Sequence, residues 1–140
     1  MAIGWMEPGE CRNLLVLVES VTAPLLIRHQ APVCLELDID VAMPIPCDQQ
    51  RTADLITALS KQALEAMPDG GDLMITGFEG ANGIELEIAD SGIDSANRER
   101  HLPIAAAAIN ADLQWQNCPQ GGVAVTILFP AQPSSNRMAA

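Results

Sequence analysis

The sequence predicts an α+β fold in which helices cover one face of a single sheet. Three observations predict it. Two long segments carry apolar residues at helical spacing. Short alternating runs pair up across Gly-containing turns. Strands and helices are mixed along the chain, yet the strands are linked by hairpins.

The elements follow in order. Residues 10–30 are rich in Leu and Val, with Arg12, Glu19 and Arg28 as the only charges after Glu10, so they read as a largely buried helix kinked at Pro24. Val33, Leu35, Leu37 and Ile39 then alternate with Cys34, Glu36, Asp38 and Asp40, the period of a strand with one wet face. Pro44 and Pro46 mark an irregular connection. Asp48 or Thr52 caps a second helix that runs to about Met67, with Leu55, Ile56, Leu59, Ala63 and Ala66 on its apolar side. Pro68-Asp69-Gly70-Gly71 stops it.

Leu73–Phe78 and Ile84–Ala89 flank a turn at residues 79–83, with Glu85 and Glu87 facing solvent. Residues 90–100 are polar and read as a loop. After Pro103, Ile104–Ile109 forms a short Ala-rich helix. A second hairpin joins Leu113–Gln116 to Val123–Phe129 through Pro119-Gln120-Gly121-Gly122. Residues 1–10 are a lead-in, 11–131 the domain, and 132–140 a frayed tail.

Length and composition narrow the function. A chain of 140 residues with 49% hydrophobic and 18% charged residues folds as one domain and is not disordered. Asp and Glu number 18 against 7 Lys and Arg, a net charge of −11, which argues against nucleic acid and membrane surfaces as partners. Aromatics are 3%, too few for a base-stacking platform. Cys11, Cys34, Cys47 and Cys118 form no CxxC pair, so they read as buried reduced thiols rather than zinc ligands. No secretory leader and no apolar run of membrane length is visible, which predicts a cytoplasmic domain.

Two motifs point further. Gln62 to Asp72 contains Ala-Leu-Glu-Ala-Met-Pro-Asp-Gly-Gly, and Ala89-Asp90-Ser91-Gly92 follows at the end of the hairpin. The first resembles the Asn-Ala-x-x-Ala-Met-Pro-x-Gly-Gly segment of sensor histidine kinases of the nitrogen-regulator type. Together they make residues 11–130 similar to the ATP-binding domain of those kinases, within the superfamily that also holds gyrase, Hsp90 and MutL. The resemblance implies the histidine-kinase ATPase (Bergerat) fold, a two-layer sandwich whose sheet is mixed and mostly antiparallel. It also implies ATP and Mg²⁺ as ligands.

Carried over by position, the resemblance puts Ala58 and Gln62 where the family has an Asn pair, the second of which holds Mg²⁺. Their four-residue spacing places both on one helical face, with Glu65 near the next turn. Ala58 offers no donor or acceptor. Gln62 carries its amide oxygen one methylene further out, and Mg²⁺ demands near-octahedral oxygens at about 2.0–2.1 Å. Glu65 is the candidate replacement ligand, although Gln62 and Glu65 also read as plain solvated helix residues. Asp90 matches the Asp that selects adenine, or else is a turn carboxylate after a strand. Gly92 matches the Gly that lets backbone pass close to the ring.

Asp94 stands where the family has a second Gly. At about 6 Å and an effective dielectric near 20, its charge costs a phosphate roughly 3 kcal/mol. The lid is reduced to residues 93–102, without glycine, where Arg98, Arg100 and His101 are the available cations and Glu99 opposes them. Neither His29 nor His101 sits in a phosphoacceptor motif. Few basic residues, and acids at Glu65, Asp94 and Glu99, read as the decay of an ATP site.

The function expected is therefore a degenerate histidine-kinase-type domain in signalling, a pseudokinase that binds a signalling protein, with ATP and Mg²⁺ binding weak or lost. The alternative is a working Mg-ATP kinase domain acting in trans, of two-component or anti-sigma type.

Overall fold

The computed structural model describes residues 11–92 and 104–130. The first helix, α1 (Leu14–Arg28), starts where the Asn13 side chain accepts from the Val16 N–H at 2.9 Å. It is shorter than residues 10–30 because that cap fixes its start and His29 turns extended at its end. Pro24 lies within α1 on its exposed side, and the helix continues through it.

Strand β1 (Val33–Asp38) shows the expected alternation, with Cys34, Glu36 and Asp38 exposed. Helix α2 (Gln49–Glu65) is capped by Asp48, which accepts from the Arg51 N–H at 2.9 Å. It stops at Glu65, two residues before Met67, because the Met67 N–H turns back to the Leu64 carbonyl at 2.9 Å.

The first hairpin is longer and tighter than its sequence suggests. Strand β2 (Gly71–Gly80) begins two residues before Leu73 because β1 pairs with it in parallel, matching Val33 to Gly71 and Cys34 to Asp72. Strand β3 (Gly83–Asp90) pairs Gly80 with Gly83, so the turn is Ala81-Asn82 alone rather than residues 79–83. Asp90 closes β3 opposite Leu73 and is strand, not loop.

The short helix α3 (Ile104–Ala108) leads into β4 (Asp112–Asn117) and β5 (Val123–Leu128). Among the described residues the five strands run in the order β1-β2-β3-β5-β4, with β1 and β2 parallel and every other pair antiparallel. The fold is thus a mixed, mostly antiparallel sheet with helices on one face, as predicted.

Alternation sorts the strands into two faces. Leu73, Ile75, Leu86, Ile88, Val125 and Ile127 are buried under Leu55, Ile56, Leu59 and Ala63 of α2 and Leu14 and Val18 of α1. Burying each such side chain contributes about 1.5–3 kcal/mol, so this one face supplies the core. No helix among the described residues is long and apolar enough to cross a membrane. None of the four cysteines is in a disulfide, and they are not buried as expected: Cys34 is exposed on the outer face of β1, and the others are half-buried.

Candidate functional site

The candidate site is a corner where the end of α2 meets the start of β2 and the end of β3. Pairing of Leu73 with Asp90 brings those strand ends together. Beyond that pair, the Ser91 N–H donates to the Asp72 carbonyl at 3.1 Å. The Asp72 N–H in return donates to Ser91 Oγ at 2.9 Å. The Ser91 hydroxyl also reaches the Met67 sulfur at 3.6 Å. One serine therefore ties both strands to the end of the helix.

Asp90 is 7% exposed. Its Oδ1 accepts from the Gly92 N–H at 2.8 Å, an Asx turn that bends the chain out of the sheet. Gly92 then passes so close to α2 that a Cβ there would overlap the Ala66 carbonyl oxygen. Gly92 thus has a packing reason to be glycine, independent of any ligand. Gly122, at φ +98° in the β4–β5 turn, lies against the Asp90 carbonyl in the same way. From the other side the His29 ring holds the helix end, its Nε2–H donating to the Met67 carbonyl at 2.8 Å.

Ala58, Gln62 and Ala66 recur at four-residue spacing and form one stripe along α2. Because Gly92 rests on Ala66, that stripe leads from the Asp-x-Gly corner up the helix. Ala58 and Gln62 on it are half-buried. Glu65 is exposed and lines a groove of about 310 Å³ over the helix ends, together with Arg28, His29, Gln30, Leu64 and Pro68. The structure thus sets Asp90 and Gly92 against Ala66, one helical turn beyond Gln62 and two beyond Ala58, while Glu65 opens onto that groove. Asp94, Arg98, Glu99, Arg100 and His101 lie outside the described residues.

The donor set can be set against the ligands that the resemblance implies. Mg²⁺ fits poorly: the stripe carries one polar side chain, and among the described residues no three His, Cys, Asp or Glu side chains cluster to hold a metal. Adenine fits better, since a carboxylate and a glycine share the corner.

Solved structures share this fold. The mycobacterial sensor histidine kinase MprB superposes with a TM-score of 0.67 at 16% identity, covering 86% of this chain and 95% of that one. The catalytic domain of histidine kinase ThkA gives 0.67 at 18%, covering 87% and 96%. The Acinetobacter baumannii histidine kinase AdeS gives 0.70 at 22%, covering 92% and 73%. The chain has the histidine-kinase ATPase-domain fold. No protein-family model matches the sequence, and no curated protein does.

Within the histidine-kinase fold, the parts missed by sequence reasoning are those that hold the corner. Ser91 is only the variable residue of Asp-x-Gly, and its bonds to Asp72 and Met67 leave no mark on composition. Ala66 contributes a backbone oxygen, which any residue would supply. His29 reads as packing or surface, and its bond to Met67 spans 38 residues of sequence.

Proposed function

We propose that this chain is a degenerate histidine-kinase-type ATP-binding domain that serves as a protein-binding module in cytoplasmic signalling. On this reading it has weak or no ATP affinity and transfers no phosphoryl group by itself. The observation that carries the reading is the chemistry of the Ala58–Gln62–Ala66 stripe. The stripe leads away from the Asp90–Gly92 corner, and two of its three side chains are methyl groups. Phosphoryl transfer rests on positioning and on electrostatic clamping by metal and cations. A methyl group supplies neither.

The adenine end keeps more. Asp90 is buried and presents a carboxylate that can accept from the amino group of the base. Bound ATP would supply the transferable phosphoryl group, and Asp90 would orient its base. Fold is retained here while function moves.

Thermal-shift titration with ATP and ADP tests the proposal. A ligand at 100 times its Kd stabilises by about 2.7 kcal/mol. The expected result is little or no shift at about millimolar nucleotide, and any shift unchanged when Mg²⁺ is replaced by EDTA. A saturable, Mg²⁺-dependent shift with transfer of the γ-phosphate to a second protein would replace this reading with that of a kinase domain acting in trans.

A further inference from the structure

The face of the sheet turned away from the helices has an unusual charge pattern. It carries Glu36, Asp38, Asp72, Glu85, Glu87 and Asp112. None of the five strands contains a Lys, Arg or His. Exposed sheet faces ordinarily mix both signs, because opposite charges across strands stabilise each other. Here the register keeps the acids apart instead. Asp38 lies opposite Thr76, Glu87 between Thr76 and Thr126, and Glu85 between Phe78 and Leu128. Like charges directly opposite each other are thereby avoided: acids two residues apart on one strand stand about 7 Å apart, and those facing each other across an intervening strand about 10 Å. These spacings are comparable to the screening length of about 8 Å at physiological salt, so the fields of neighbouring acids overlap.

Apolar groups sit among the acids. Met74 is 38% exposed and Phe78 47% exposed, both on this face. Phe78 is directly opposite Glu85. A guanidinium stacked on the Phe78 ring would meet that carboxylate at the ring edge.

We propose that this open sheet face docks a cationic segment of a partner protein, one in which Arg or Lys alternates with apolar residues. Charge complementarity selects the occupant. Nucleic acid and anionic membrane are repelled, and so is a second copy laid face to face, because it brings the same acids. The proposal gives the binding-module reading a surface and a partner chemistry, and it rests on that reading only for its signalling context. Asp90 faces the helix side, in register with Leu73, so nucleotide tests and docking tests read opposite faces and fail independently.

The test uses the full chain and a fluorescein-labelled peptide of alternating Arg and Phe, with a Glu-for-Arg twin as control. Anisotropy should show binding of the cationic peptide only, weakened severalfold between low and high salt. Joint neutralisation by Asp38→Asn, Glu85→Gln and Glu87→Gln should weaken binding about tenfold. Phe78→Ala should weaken it separately. Neutralising Glu19, Asp54 and Asp69, which lie off this face, changes the net charge equally and should leave binding within about twofold. Melting curves confirm that each variant is folded. Equal losses from both triple variants would overturn the proposal, since attraction would then follow net charge alone. Absence of peptide binding, or self-association abolished by the face variants, would overturn it as well.

Discussion

Gly92 rests on the carbonyl oxygen of Ala66, with no room between them for a methyl group. This contact joins the Asp-x-Gly corner to the last turn of α2 and sets where the Ala58–Gln62 stripe lies relative to Asp90. A side chain at residue 92 must push the helix end or the strand end away. Gly92→Ala is expected to destabilise the fold by about 2–3 kcal/mol. For a domain of this size that lowers the melting temperature by about 3 °C per kcal/mol, readable by calorimetry. An unchanged melting temperature would show that the corner yields freely.

Asp90 separates two roles by substitution. Its Oδ1 holds the Gly92 N–H, and Asn keeps that acceptor while removing the charge. Asp90→Ala is expected to lose about 1 kcal/mol of stability, and Asp90→Asn distinctly less. Should Asn and Ala cost the same, the turn bond is not what the carboxylate supplies. Any nucleotide-induced shift should disappear in both variants.

Ser60 gives a prediction of the opposite sign. Its hydroxyl is fully buried in α2 and has no hydrogen-bond partner among the described residues. A buried unsatisfied polar atom costs roughly 1–3 kcal/mol, and removing it returns part of that. Ser60→Ala should therefore raise stability, by about 1 kcal/mol in a denaturant titration. By contrast Thr22, equally buried in α1, donates to the Val18 carbonyl at 2.8 Å. Thr22→Val should lower stability.

His29 ties the ends of the two long helices together through the Met67 carbonyl. His29→Leu keeps the bulk and removes the donor, so the carbonyl loses its partner. The expected loss is about 1 kcal/mol. Amide exchange should rise around Met67 and Gly70, whose own N–H donates to the Met67 carbonyl at 3.0 Å. Exchange that rises uniformly across the chain would assign His29 a general packing role.

The sequence by itself determined the elements and their order. A period of two over Val33–Ile39, helical spacing over Leu55–Met67 and a Pro-Asp-Gly-Gly stop are local signals, and local backbone geometry obeys them. It also supplied the motif positions of Ala58, Gln62, Asp90 and Gly92, since these lie in contiguous segments. Only the tertiary structure decided the partners. Parallel pairing with β1 extends β2 back to Gly71, and β5 enters between β3 and β4, because long-range ladders form where several strands bury one face together. The same register decided that Gly92 would meet Ala66, and that acids from four strands would share one uncovered face without standing opposite each other. Neither outcome is local, so neither is written in any single stretch of the chain.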